Sequence, residues 1–235
     1  MEHAQRTGRL TLVSTPIGNL GDMTYRAVEE LRAVDQILAE DTRHSARLLD
    51  HYDIRTRVTS YHDHNKERVT PGLVENLVAG ARMALITDAG TPGISDPGFY
   101  LVRASIAAGV DVTAVPGASA LLPALVVSGL GTDAFVFSGF APRKKGALAR
   151  AVEALADEKR TSLFYVSPYK LLGVLEVFRE KLPGRTLVIA RELTKAHEEI
   201  RRGRASELIA HYEKGRVRGE IVLVVSGKTK CAPAA

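Results

Sequence analysis

The stretch Met83-Ala84-Leu85-Ile86-Thr87-Asp88-Ala89-Gly90-Thr91-Pro92-Gly93 is an apolar, β-rich run that ends in a loop of glycine, proline and a carboxylate. Two other stretches share its form. Leu10-Thr11-Leu12-Val13 leads into Ser14-Thr15-Pro16-Ile17-Gly18-Asn19, and Val112-Thr113-Ala114-Val115 leads into Pro116-Gly117-Ala118-Ser119. Strand, tight loop, helix is the repeating unit of a parallel α/β sheet, and such sheets take ligands beyond the carboxyl ends of their strands. Glycine lets the backbone come close to a ligand, and proline fixes the loop. One such loop is explained by strand termination alone, whereas three in one domain point to a ligand. Backbone N–H and C=O groups in these loops suit a purine ring and an amino-acid moiety.

Outward from these loops the pattern alternates. Apolar runs at 10–14, 35–39, 58–61, 83–87 and 111–115 read as strands, with helical patterns at 23–33, 42–51, 65–80 and 97–108 between them. Thr42 is placed to cap the second helix, and Asp96-Pro97 to start the fourth. Alternation of this kind predicts a mostly parallel sheet covered on both faces. After Gly129-Leu130-Gly131-Thr132 the pattern restarts, with strands at 134–138, 161–166, 186–190 and 220–225 around helices at 145–157, 169–181 and 204–214. The expectation is an N-terminal α/β domain over 9–131, a C-terminal α/β domain over 132–227, a ligand cleft between them, and a disordered tail over 228–235.

Bulk properties narrow the class. The 235 residues are 45% hydrophobic and 25% charged, enough for one large or two small globular domains. The formal net charge of +5 is compatible with nucleic-acid binding and equally with an ordinary enzyme. A single cysteine, Cys231, excludes an intrachain disulfide and a thiolate metal cluster, and suits a reducing cytoplasm. The first residues, Met1 to Arg6, carry no apolar stretch of the secretory kind. Residues 112–132 hold no charge, but Pro116, Gly117, Pro123, Gly129 and Gly131 break the run, which reads as strand, loop and buried helix rather than a membrane span.

Several chemistries are missing. There is no complete Gly-x-x-x-x-Gly-Lys-Ser/Thr phosphate loop, no Gly-x-Gly-x-x-Gly dinucleotide fingerprint and no Gly-x-Ser-x-Gly elbow. His62 and His64 lack a third nearby metal ligand, so no metal site is expected. What remains is polar residues at strand ends: Glu40-Asp41-Thr42-Arg43 after the second strand, Tyr61 to Glu67 after the third, and Glu192 to Glu199 later in the chain. Each is open to a second reading as helix capping and solvated charge. Arg143, Lys144 and Lys145, followed by Arg150, form a basic run suited to phosphates, and Arg201 and Arg202 a second one.

The segments Ser14 to Asp22, Ala39 to His44, Asp88 to Pro92 with Ser95 to Gly98, Val115 to Ser119, and Ala190 to Lys195 together resemble the tetrapyrrole-methylase superfamily. Within it they resemble the bacterial branch that acts on small-subunit ribosomal RNA, over residues 10–227. The resemblance implies two α/β domains of the tetrapyrrole-methylase type, with a mostly parallel N-terminal sheet and a mixed C-terminal sheet. It implies an S-adenosyl-L-methionine-dependent enzyme in the cytoplasm, a homodimer, that 2′-O-methylates the ribose of a cytidine in the decoding region of 16S rRNA, free or in the small ribosomal subunit. Carried over, cofactor contacts fall on Pro16, Asp88, Ala89, Gly90, Thr91, Ser119 and Ala120, and from the second domain on Tyr165, Val166, Ala190, Gly219 and Glu220. Relatives commonly read Phe-Tyr-Glu-Ser-Pro-His-Arg where this chain has Phe164 to Lys170. Val166 therefore carries no acid/base role, and Lys170 keeps a charge without arginine's planar fork. Ser138 stands where an acid is frequent.

A ribose hydroxyl needs somewhere to send its proton, and the candidates for acceptor or orienter are Asp41, Glu40 and His62. Lys195 and Arg43 suit phosphate or a developing alkoxide. Two alternatives stay open on the sequence: a tetrapyrrole C-methyltransferase of the same superfamily, and a non-catalytic RNA-binding assembly factor.

Overall fold

Strands β1 (Arg9–Val13), β2 (Gln36–Ala39), β3 (Val58–Ser60), β4 (Arg82–Ile86) and β5 (Asp111–Val115) form one sheet in the order β3-β2-β4-β1-β5. Every pairing in it is parallel. The computed structural model to which these strands belong describes residues 8–228. The expected disordered tail, apart from Lys228, and Cys231 lie outside the described residues.

The near-continuous apolar runs follow from burial on both faces. Side chains alternate across a strand, so Ile37 and Ala39 of β2, with Ala84 and Ile86 of β4, pack in one core with Leu31 and Leu49. Leu31 lies on α1 (Tyr25–Ala33) and Leu49 on α2 (Thr42–His51). Leu38, Met83 and Leu85 face the other way, into a core with Leu77 and Leu101. These come from α3 (Lys66–Val78) and α4 (Gly98–Ala107). The α2 cap is Asp41 rather than the expected Thr42. A carboxylate accepts the first-turn N–H groups and also suits the positive end of the helix dipole.

A second compact unit begins at Ala120. Its sheet runs β6 (Phe135–Phe140), β7 (Thr161–Val166), β10 (Ile221–Val225), β8 (Leu187–Arg191), β9 (Glu199–Gly203). Only β6 and β7 are parallel, so the sheet is mixed, as the resemblance implies. Its core joins Phe164, Ile189 and Leu223 of the sheet to Leu175 and Phe178 of α7 (Leu171–Lys181). Leu148 of α6 (Lys145–Glu153) and Leu208 of α8 (Ala205–Tyr212) complete it.

The division falls after Ser119, earlier than the expected 131/132. The helix between these points, α5 (Leu121–Ser128), packs on β8, β9 and β10. Gly129 stops α5 in the left-handed conformation instead of opening a linker. Strand β9 was not among the expected elements, because Glu-Ile-Arg-Arg-Gly carries one apolar residue. Among the described residues no helix is long and apolar enough to cross a membrane.

Candidate functional site

The three Pro/Gly loops of the first unit are tied to one another. Thr15 and Gly90 exchange backbone hydrogen bonds of 2.9 and 3.0 Å, bridging the loops after β1 and β4. The Ser14 hydroxyl donates to the Thr91 hydroxyl at 3.1 Å, which donates to the Ala118 carbonyl at 3.1 Å, so the loop after β5 is joined as well. Gly117 is required for this closeness, since a Cβ there would sit 2.9 Å from that of Ser14. The Asp96 carboxylate accepts from the N–H groups of Gly93, Ile94 and Gly98 at 2.7–3.1 Å, closing the end of the β4 loop and starting α4. Pro16, Asp88, Ala89, Gly90 and Thr91 thus stand on a pre-formed rim at the carboxyl end of a parallel sheet. Ser119 closes the first unit, and Ala120 opens the second.

Polar residues of β2 and β3 join that rim. The Asp41 N–H donates to Asp88 at 3.2 Å. Glu40 is half-buried, and its carboxyl is pushed above the ordinary range by burial first, then by the charges of Asp88, Asp96, Asp63 and Asp41. Asp41 is the opposite case. Backbone N–H groups of His44 and Arg43 hold its carboxyl below the ordinary range. A depressed carboxyl is a weak base, so of the two adjacent acids Glu40 is the stronger base, while the Asp41 carboxylate is taken up by the start of α2. The Nδ1 atom of His62 is buried without a hydrogen-bond partner among the described residues. Arg43 is exposed in the first turn of α2.

In the second unit, register gathers another set. Ile221 pairs with both Val166 and Arg191, so the ends of β7 and β8 and the start of β10 lie together. This brings Tyr165, Val166, Ala190, Gly219 and Glu220 to one sheet end. The Val166 side chain is 3% exposed and belongs to the core, leaving its backbone as the group on offer. Glu192, which the sequence reading did not single out, organises this end. Its carboxylate accepts from the Glu220 N–H and from Lys195 Nζ, both at 2.9 Å. Gly219 has φ +88°, and a Cβ there would fall 2.3 Å from the Glu192 carboxyl carbon. Glu192 and Thr194 themselves hold φ +52° and +68°, and the buried Thr194 hydroxyl has no partner among the described residues. Non-glycine residues held in this region mark a loop whose surroundings over-determine it. The signal was the dense polar run after β8, but the partner role of Glu192 depends on a chain return at Gly219. Burial lowers the Lys195 pKa, yet its hydrogen bonds to Glu192 and Glu220 outweigh this and keep it above the usual range. Lys195 is therefore a neutralised cation and no proton acceptor.

The basic residues separate. Arg143, Lys144 and Lys145 lie at the exposed start of α6, and Arg150 in its last turn. Arg201 is ion-paired to Glu199 at 3.1 Å. Arg202 donates to the carbonyls of Val127 and Ser128, closing the C-terminus of α5. Its guanidinium has a structural use that the sequence reading, which grouped it with RNA contacts, did not anticipate.

The two-unit α/β architecture, with loops of this kind at its strand ends, is that of the tetrapyrrole-type methylases. Residues 9–209 match the family of Tetrapyrrole (Corrin/Porphyrin) Methylases. The chain belongs to this family and, within it, to the ribosomal RNA small subunit methyltransferase I group. It is 50% identical over 223 residues to the protein of that name from Synechocystis sp., covering 94% of this chain and 80% of the relative. It is 47% identical over 227 residues to the one from Haemophilus influenzae, covering 95% and 80%. Two solved structures share the fold. Uroporphyrin-III-C-methyltransferase from Thermus thermophilus aligns at TM-score 0.64 with 20% identity, over 92% of this chain and 94% of that one. A diphthine synthase aligns at TM-score 0.70 with 15% identity, over 94% and 90%.

Proposed function

We propose that this chain is an S-adenosyl-L-methionine-dependent methyltransferase that 2′-O-methylates the ribose of a cytidine in the decoding region of 16S rRNA. The observation that carries the reading is similarity along 94–95% of the chain to relatives named for methylation of small-subunit ribosomal RNA. Residues of both units fit the cofactor. The first unit offers an acid-rich rim, Glu40, Asp41, Asp63, Asp88 and Asp96, which suits a sulfonium and an ammonium group. The second offers the orphaned Thr194 hydroxyl and a backbone turn kept open by Gly219. Pro16, Asp88 to Thr91, Ser119, Ala120, Tyr165, Val166, Ala190, Gly219 and Glu220 would hold it. When bound, S-adenosyl-L-methionine supplies an electrophilic methyl group.

The chain's own residues handle one proton and alignment. The proton leaving the ribose 2′-hydroxyl goes to the Glu40 carboxylate, whose raised pKa matches it to that task. A positioned base of this kind contributes on the order of 10²–10⁴-fold. Asp41 holds the start of α2 and, through its N–H, the Asp88 side chain. His62 offers Nδ1 as a second polar contact, and Arg43 is exposed for phosphate. Lys195 fixes Glu192 and Glu220 and with them the Gly219 turn. On this reading the enzyme works in the cytoplasm, on rRNA or the small subunit.

We also infer a homodimer. The first unit leaves β5 as an open sheet edge and exposes Phe99 and Ile106 of α4. Unpaired edges and apolar helix faces are ordinarily covered. The test of the activity is mass spectrometry of nucleosides from 16S rRNA and from 30S subunits treated with the protein and S-adenosyl-L-methionine. 2′-O-methylcytidine is expected, and its absence from both substrates overturns the reading.

A further inference from the structure

A groove of about 680 Å³ opens on the second unit between the start of α6 and the length of α7 from Gly173 to Glu180. Arg143 and Lys145 line it from one side and Lys170 from the other. Two acids also line it, but both are answered. Glu176 is ion-paired to Arg179, and Glu180 to Lys181 at 3.2 Å. Arg143, Lys145 and Lys170 have no ion pair among the described residues, and all three are exposed. Lys145 opens α6, where the helix dipole disfavours a cation and no side chain caps the turn. Like charges gathered around one concavity repel each other, and a polyanion relieves that repulsion.

An aromatic side chain flanks the same groove in sequence. Tyr169, next to Lys170 of the lining, is 78% exposed. A ring held in water beside unpaired cations is the pairing that single-stranded nucleic acid uses, with phosphates on the cations and an unstacked base on the ring. A duplex keeps its bases stacked and has no use for the ring. Tyr169 and Lys170 follow β7, whose last residue, Val166, pairs with Ile221, so this end of the groove lies at the sheet end that carries Gly219 and Glu220.

We propose that this groove binds a single-stranded segment of the RNA substrate, with Arg143, Lys145 and Lys170 on its phosphates and Tyr169 against a base. The inference rests on the RNA-methylation reading.

Two variants test it, with a fluorescein-labelled unstructured RNA oligonucleotide and a duplex of equal length as probes. The first replaces Arg143, Lys145 and Lys170 by glutamine. The second is Gly173→Glu, which puts a carboxylate into the groove from α7. A Cβ at Gly173 meets nothing within 4 Å, so the fold has room for it. Both are expected to bind the single strand at least tenfold more weakly at low salt and to raise the RNA KM with little change in kcat. S-adenosyl-L-methionine affinity by calorimetry stays at the wild-type value. The triple variant also flattens the plot of log affinity against log salt by about 2, since each single-strand phosphate contact contributes roughly 0.7. Wild-type affinity in Gly173→Glu, or an unchanged salt slope in the triple variant, overturns the groove, as does equal wild-type affinity for duplex. If those outcomes arise while 2′-O-methylcytidine still forms, only the groove falls. If no 2′-O-methylcytidine forms, the underlying reading falls with it.

Discussion

Glu40 and Asp41 are neighbours of the same chemical kind, and only their surroundings tell them apart. Asp41 spends its carboxylate on two backbone N–H groups, whereas Glu40 is half-buried among four other acids. Glu40→Gln is expected to lower kcat by about 10²–10⁴-fold with cofactor affinity preserved, because it removes the proton's destination. The wild-type rate should fall as pH drops through the raised Glu40 pKa, with an acid limb above the usual carboxylate range. Stability carries the opposite sign. A carboxyl whose pKa is higher folded than unfolded binds its proton more tightly in the fold, so its ionised form costs stability at neutral pH. Glu40→Gln should therefore melt higher than wild type at neutral pH, with the gain vanishing below the unfolded-state pKa. Asp41→Asn keeps a side-chain oxygen for the cap but loses the charge that suits the helix dipole, so it should lower melting slightly at neutral pH and reduce the rate less than Glu40→Gln. A slower Asp41→Asn than Glu40→Gln would reverse the assignment. The sequence made both residues legible as strand-end acids. It could not rank them, because Glu40 is set apart by burial and by acids that come mostly from two other strand ends, those of β3 and β4.

At the scale of elements, what was legible is what burial on two faces writes into the chain. The inner strands β1, β2 and β4 read as apolar runs because helices cover both sides, and the loops after β1, β4 and β5 stand where the pattern put them. β9 was illegible for the converse reason. It is an edge strand, its side chains are mostly in water or in ion pairs, and its place is fixed by a ladder to β8. Charge on an edge strand also discourages further pairing. The same strand explains why two arginines resembled an RNA contact. Arg202 reaches the terminal carbonyls of α5, which otherwise lack partners at a helix end. Arg202→Ala should cost about 1 kcal/mol, the value of a hydrogen-bonded cation discounted for exposure. It should leave the salt slope of RNA binding as in wild type. Chemical denaturation and salt-dependent anisotropy measure the two effects, and a slope shallower by a full phosphate contact would return Arg202 to the RNA.

For the whole molecule, the sequence offers apolar residues without saying which are inside. Phe99 and Ile106 fit the helical pattern of α4 as well as buried Leu101 does, yet they are 64% and 61% exposed while Leu101 is fully covered. A helix in an α/β layer needs one apolar stripe for the sheet beneath it. α4 carries a second stripe, and beside it β5 pairs with β1 on one side only. An apolar stripe and an open strand edge in one unit are the composition of an interface between identical copies, since a two-fold axis lets each cover the other. The full chain should accordingly sediment as a dimer at micromolar concentration. Phe99→Glu combined with Ile106→Glu should shift it to monomer, because buried carboxylates facing each other across a symmetric contact are left unpaired. Both side chains are in water within the protomer, so near-ultraviolet circular dichroism should still report a folded chain. A monomeric wild type, or a dimer that survives both glutamates, would place the subunit contact elsewhere and leave the second stripe of α4 without a role.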